Sequence, residues 1–239
     1  MSQKVRLYVD QPFAEGQTLP LTRDQATYLF AVMRLPVGEI ISVINGRDGE
    51  WDAEILRGTK RGGDLVCRAQ TRPMTLPPDL WLIFAPIKKV RTDFIVEKAT
   101  ELGVRRILPV ETDFTQGDRV RRDRLQAHAV EAAEQCGATF VPEVDDLRKL
   151  DEVLRNWPDG RQVIFCDEAR AGMPAGYPEE AGPAAILIGP EGGFSDSERT
   201  ALLAAPFASA VSLGPRILRA DTAAIAAITL WQSRLGDWR

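Results

Sequence analysis

Histidine is almost absent from this chain: among 239 residues only His128 carries an imidazole. A Ser-His-Asp relay or a histidine-rich metal cage needs imidazoles placed on purpose, and a single one inside a helical pattern does not supply them. Cysteine is also scarce. Cys67, Cys136 and Cys166 stand apart, odd in number, with no C-x-x-C pair. That speaks against a disulfide framework or a zinc site and fits a reducing cytoplasm. No apolar run reaches the roughly 18 residues needed to span a bilayer, and MSQKVRLYVD lacks the apolar stretch of a signal peptide. A cytoplasmic protein with no metal and no membrane segment is expected. A large excess of positive charge is missing too, since the net charge is −4. Any nucleic-acid surface must therefore be local rather than global. The hydrophobic content of 44% excludes a disordered chain.

Against these absences, one stretch is rich in signal. Two short apolar runs, 184–188 and 210–213, each end in a glycine-proline turn and lead into a helical pattern. The turns are Gly189-Pro190-Glu191-Gly192-Gly193 and Gly214-Pro215-Arg216. Bounded apolar runs of this length read as buried strands, and glycine at their ends admits close approach of a backbone or ligand. Two such loops on one sheet edge make a small-molecule site. The first loop fits neither a phosphate-cradling G-x-x-x-x-G-K-[ST] nor a dinucleotide G-x-G-x-x-G pattern. Pro190 removes an amide donor, and Glu191 would repel a polyphosphate. A nucleoside without phosphates suits the loop, a cationic one better still, and S-adenosylmethionine is both. By spacing alone, tight turns with a solvated Glu191 fit equally well. Ser195-Asp196-Ser197-Glu198 is a capping box, with Phe194 placed as its hydrophobic staple.

Residues 1–72 read as a compact, mainly β barrel. It has strands at 5–9, 40–44, 51–56 and 65–69, a hairpin turn Asn45-Gly46-Arg47-Asp48-Gly49, and one helix. Thr22-Arg23-Asp24-Gln25 caps that helix, which presents Tyr28, Leu29, Val32 and Met33 and is closed by Pro36. Residues 73–79 hold Pro73, Pro77 and Pro78 and form a semi-rigid linker. From Leu80 to residue 239 strands alternate with helices, which implies an α/β domain with a parallel sheet covered on both faces. Strands are expected at 80–85, 107–110 and 163–166, and helices at 91–102, 122–136 and 221–234. Two basic runs, Lys88-Lys89-Val90-Arg91 and Arg119-Val120-Arg121-Arg122-Asp123-Arg124, are either a nucleic-acid surface or solvated faces.

GPEGGFSDSE followed by SLGPRILRADTAA resembles the RsmE family, the 16S ribosomal RNA (uracil-1498-N3)-methyltransferases of the SPOUT superfamily. KATELGV at 98–104, EAAEQCG at 131–137, Val141-Pro142-Glu143, Arg6-Leu7-Tyr8-Val9 and Val32-Met33-Arg34-Leu35 extend the likeness over nearly the whole chain. The resemblance implies a PUA-like RNA-binding barrel at the N-terminus, a C-terminal parallel sheet with a deep trefoil knot, and a homodimer. Its substrate would be 16S ribosomal RNA or the small ribosomal subunit, its cofactor S-adenosylmethionine. Gly189, Pro190, Glu191, Gly192, Leu213, Gly214, Ile217 and Leu218 would hold the cofactor. Arg219 and Asp221 are the candidates for removing the uridine N3 proton or stabilising the imidate oxygen, with a phosphate contact or surface ion pair as the alternative for Arg219 and a plain helix cap for Asp221. RNA contacts would come from Arg6, Arg34, Lys88, Lys89, Arg91, Arg121, Arg122 and Arg124. The chain departs from the family at Ala220-Asp221, where Thr-Glu is usual. Arginine is missing near Ala138 and Phe140, and paired histidines are missing near Thr27-Tyr28. Another RNA target, such as transfer RNA, and a non-catalytic assembly factor are the alternative readings.

Overall fold

The computed structural model describes residues 4–116, 120–173 and 176–238. Arg119 of the second basic run lies outside them. The chain forms two compact units: Met1–Leu76 with Ala133–Val141, and Pro77–Ala132 with Pro142–Arg239.

The first unit contains β1 (Arg6–Tyr8), β2 (Thr18–Pro20), α1 (Arg23–Thr27), β3 (Ile40–Ile44), β4 (Glu50–Thr59) and β5 (Gly62–Arg72). The sheet order is β1-β3-β4-β5-β2. The β3–β4 turn closes on Asn45, whose Oδ1 accepts from the amides of Arg47 and Asp48 at 2.9 and 2.7 Å. That is the local hydrogen bonding for which asparagine is favoured in turns. Leu7, Leu19, Ile41, Val43, Ile55 and Leu65 fill the core. The expected barrel is not closed by a backbone ladder, because no pairing joins β1 to β2 among the described residues. Side chains bring its ends together instead: Gln25 Nε2 donates to the Tyr8 carbonyl at 2.8 Å and Gln11 Nε2 to that of Pro20 at 2.9 Å.

The capping box at Thr22 and Gln25 forms as expected. The helix behind it does not hold its α register. It passes into a π turn over Tyr28–Val32, with the Met33 amide donating to the Tyr28 carbonyl at 2.9 Å. The wider turn rotates the apolar stripe. Leu29 is buried, while Tyr28, Val32 and Met33 are exposed rather than in the core.

Arg6 corrects the sequence reading. Read from the sequence as an RNA contact, it has its guanidinium engaged inside the unit. It donates to Glu50 and to the carbonyls of Ala133, Glu134 and Ala138, at 2.7–3.1 Å. Both members of the Arg6–Glu50 pair are about nine-tenths buried, with side-chain exposures of 10% and 12%. Burial pushes the Glu50 carboxyl up, but hydrogen bonds from Arg72 and Arg6 outweigh it and hold the group below the usual glutamate value. Removing one partner of a buried pair is far worse than never having had it. Arg6→Ala is therefore expected to destabilise the fold by about 3–5 kcal/mol in urea unfolding at neutral pH. A depressed carboxylate contributes stability above its unfolded value and loses it as pH falls through its folded value. The gap between wild type and variant should thus narrow below about pH 4. Coincident unfolding curves at neutral pH would return Arg6 to the surface.

The second unit contains β6 (Leu80–Phe84), α2 (Lys89–Glu101), β7 (Arg106–Glu111), α3 (Arg122–Cys136), β8 (Glu143–Val144), β9 (Arg148–Lys149), α4 (Leu150–Arg155), β10 (Gln162–Cys166), β11 (Ala184–Ile188), α5 (Asp196–Ala204), β12 (Ala208–Val211) and α6 (Ala220–Leu235). The order β12-β10-β11-β6-β7-β8, with β9 also on β7, is parallel throughout. The central strand β11 is buried along its whole length, as an unbroken apolar run between helix layers demands. The second apolar run sits two residues earlier than expected, at 208–211, leaving Leu213 and Gly214 in the loop. Around Ser195 both capping-box bonds form, at 3.3 and 3.0 Å. Phe194 is not a staple: it packs edge-on against Phe165, centroids 5.2 Å apart, in the core beneath the loop.

Candidate cofactor site

Strands β11 and β12 flank β10, so three parallel strands deliver three loops to one carboxyl edge. A cavity of about 190 Å³ opens there, and the last residue of each strand, Cys166, Ile188 and Val211, lines it. This is where an open parallel sheet leaves room for a ligand. The third wall, Asp167, Glu168 and Ala171 after β10, was missed by sequence reasoning. No glycine-proline turn marks that loop.

Seven of the eight expected cofactor residues line the cavity: Gly189, Pro190, Glu191, Leu213, Gly214, Ile217 and Leu218. Gly192 does not. A side chain there would face Phe114, whose Cβ lies 3.2 Å from the position of an added methyl. Its neighbour Gly193 takes the place instead. Gly193 is buried at φ +69°, its amide donates to the Pro190 carbonyl at 2.9 Å, and an added Cβ would stand 2.3 Å from Glu168 Oε1. Only glycine meets both demands at low cost. The Gly172 amide donates to the Gly214 carbonyl at 2.9 Å, tying the second glycine-proline loop to the segment after β10.

The lining is apolar where Ile188, Leu213, Ile217 and Leu218 meet and acidic at the rim. Asp167 is locked, accepting from Arg199 Nε at 2.9 Å and the Ala169 amide at 3.1 Å. The carboxylates of Glu168 and Glu191 have no hydrogen bond or ion pair among the described residues, so their charge is available to a cationic ligand. Burial raises the Cys166 thiol to about 12, so it presents neutral sulfur to the cavity. Glycine backbone for close approach, apolar walls and free carboxylates fit a nucleoside bearing a positive charge.

Arg219 and Arg216 line the cavity as well, and both are exposed. Arg219 occupies the N-cap position of α6, which removes the reading of Asp221 as a plain cap. Asp221 lies in the first helical turn, where its negative charge suits the helix dipole. Its Oδ1 accepts from the Thr222 amide at 2.9 Å and its Oδ2 faces Arg91 Nη1 at 3.4 Å. Asp221 is not itself part of the cavity lining.

The remaining basic candidates differ in freedom. Arg34 is exposed at φ 55°, and Lys88 and Lys89 are exposed at the start of α2. Arg91 is engaged by Asp221, Arg124 by Asp93, and Arg122 donates to the Val144 carbonyl at 2.7 Å. Arg121 makes an exposed pair with Asp123 at 2.5 Å. Exposed pairs of that kind are weak and exchange readily.

The chain combines a parallel α/β unit that has a glycine-lined pocket at its carboxyl edge with a small β unit, and comparison with known proteins places both in one class, enzymes that methylate RNA. Residues 74–232 match the RNA methyltransferase domain model, and residues 21–66 match the RNA methyltransferase PUA domain. The chain belongs to this RNA methyltransferase family. Among its relatives are proteins named ribosomal RNA small subunit methyltransferase E. The one from Synechocystis is 30% identical, over 88% of this chain and 71% of its own. The one from Rickettsia conorii is 28% identical over 93% of each chain. The crystal structure of the Neisseria gonorrhoeae enzyme, described as bound to S-adenosyl methionine, superposes with a TM-score of 0.87 at 28% identity, covering 99% of this chain and 100% of that one.

Proposed function

We propose that this protein methylates N3 of a uridine in 16S ribosomal RNA, of the position-1498 type, with S-adenosylmethionine as methyl donor. The observation that carries this reading is the three-loop cavity, whose glycine backbone, apolar walls and unpaired Glu168 and Glu191 match the cofactor's nucleoside and sulfonium. When bound there, S-adenosylmethionine supplies an electrophilic methyl group.

The chain's own residues must then deal with the uracil. Its neutral imide nitrogen has no free lone pair, so the N3 proton has to leave. Arg219, unpaired among the described residues at the cavity wall, stabilises the negative charge that develops on the adjacent carbonyl oxygen. Asp221, held by Arg91 in the first turn of α6, receives or assists the departing proton. The base must also be turned out of its stack to reach the cavity.

Residues 1–72 serve as the PUA-like RNA-binding domain and 80–239 as the methyltransferase domain, joined by the proline-rich 73–79 segment. The family resemblance supports a homodimer and a trefoil knot. The Gly172 amide donates to the Gly214 carbonyl, and Tyr177 Oη to the Ala227 carbonyl at 3.4 Å. The expected compartment is the cytoplasm. Mass mapping of ribosomal RNA from cells with and without the protein tests the reading: a single N3-methyluridine in 16S RNA should vanish with the gene and return with it. An unchanged 16S map together with a lost transfer-RNA methyl group would favour the alternative target. No lost methyl group and no calorimetric cofactor binding would favour an assembly factor.

A further inference from the structure

Just past Glu111, the last residue of β7, the chain makes a tight turn. The Thr115 amide donates to the Thr112 carbonyl at 3.1 Å, and Thr115 Oγ1 accepts from the Thr112 amide at 2.8 Å. Asp113 ties this turn to the capping box of α5: its amide donates to Glu198 Oε1 at 2.9 Å, and its Oδ2 accepts from Ser195 Oγ at 2.5 Å. The next residue, Phe114, is thereby held against the first glycine loop. Its Cβ and Cγ lie 3.2 and 3.7 Å from where a β-carbon on Gly192 would stand. Gly192 sits between Glu191 and Gly193, both of which line the cofactor cavity. One residue's step along the chain, about 3.8 Å, thus separates the cavity rim from the residue that Phe114 packs on. Phe114 is 47% exposed, so it is open to a ligand. Because β6 lies between β11 and β7, the loop after β6 emerges between the glycine loop and this turn, and it leads to the exposed Lys88 and Lys89.

We propose that Phe114 is a stacking platform for the base next to the methylated uridine, with Lys88 and Lys89 on the phosphates beside it. The inference rests on the RNA methyltransferase reading above. Turning the uridine out of its stack strips its neighbour of one stacking partner. An aromatic ring held at the pocket's edge replaces that partner, since base–ring stacking needs only two flat faces and tolerates any sequence. Charge decides how the strand lies. Glu111, Asp113 and Glu191 are exposed around the ring and repel phosphate, whereas the two lysines attract it. The backbone therefore keeps to the lysine side and turns a base, not a phosphate, toward Phe114.

Steady-state methylation by the full-length protein tests this, on 16S RNA and small ribosomal subunits from cells lacking it, with calorimetric S-adenosylmethionine binding alongside. Phe114→Ala and Phe114→Leu should each lose kcat/KM on the order of tenfold through a raised KM for RNA, the scale of one base–ring stack. Cofactor affinity should not change. Leucine fills the place against Gly192 without offering a flat face, so a ring that merely packs there would tolerate it. Phe114→Trp should recover the loss. In RNA with an abasic residue immediately 5′ or 3′ of the methylated uridine, wild type should lose a similar factor at one of the two positions. Phe114→Ala should lose nothing further there, because two changes to one contact are not additive. Wild-type kinetics in Phe114→Ala, or additive losses at both abasic positions, overturn the platform. A lower oligomeric mass of Phe114→Ala by light scattering also overturns it, by giving the ring to a second copy of the chain. Replacing Lys88 and Lys89 together with Gln should raise KM and flatten its salt dependence, and an unchanged slope overturns their phosphate contacts. Methylation indifferent to Phe114 sinks only the platform, whereas no methylation by wild type sinks the enzymatic reading and the platform with it.

Discussion

Gly193→Val is expected to bind S-adenosylmethionine on the order of 100-fold more weakly than wild type, a loss of about 2.7 kcal/mol, while Gly192→Ala stays close to wild type. Isothermal titration calorimetry measures both. At φ +69° any L-residue is strained, by roughly 1–2 kcal/mol, and a β-branched one more so. The new Cβ would also stand 2.3 Å from Glu168 Oε1, driving away one of the two free carboxylates at the rim. Either effect re-aims the loop that the Pro190–Gly193 bond closes. Gly192 has neither problem. Its backbone lies outside the left-handed region, and an added methyl would stand 3.2 Å from Phe114 Cβ, a contact that a shift of a few tenths of an ångström relieves. Equal losses in the two variants would mean that the loop responds to bulk anywhere, and the cavity assignment at Gly193 would fail.

Asp221→Asn should keep its melting temperature and cofactor affinity yet lose roughly 100-fold in single-turnover methylation, the scale for a positioned base. The stability should hold because Arg219, not Asp221, occupies the cap position, and Asn can still accept from the Thr222 amide. Affinity should hold because Asp221 is not part of the cavity lining. What disappears is the negative charge that Arg91 faces at 3.4 Å and its capacity to take a proton. Raising the pH should restore part of the rate, since solvent can then take the imide proton. Arg91→Gln, which frees the carboxylate without removing it, should lose less rate than Asp221→Asn and leave cofactor binding unchanged. A wild-type single-turnover rate in Asp221→Asn would strike the carboxylate from the mechanism, leaving Arg219-stabilised imidate formation with loss of the proton to water.

Much of this molecule was legible before any fold was known, and the legible parts share one cause. The capping boxes at Thr22 and Ser195, the buried run at 184–188, the Asn45 turn and the two glycine-proline loops are short-range features. They depend on backbone sterics and on hydrogen bonds between residues a few positions apart, which neighbouring side chains decide. The parallel α/β unit follows from the alternation of such elements. What tertiary structure alone decided involves partners far apart in the chain. Arg6 looks like a free cation until the segment around Ala133–Ala138 supplies three carbonyls to it. Asp221 reads as a helix cap until Arg91, 130 positions earlier, faces it. Gly192 and Gly193 are indistinguishable as letters; Phe114 and Glu168 tell them apart. The loop after β10 becomes a wall of the site only because sheet order places β10 between β11 and β12. Local sequence sets the conformation of a residue, but its electrostatic and packing partners are set by which strands and helices meet. The sequence alone therefore marked these loops as a candidate site, and the fold decided that a cavity forms there and which atoms face it.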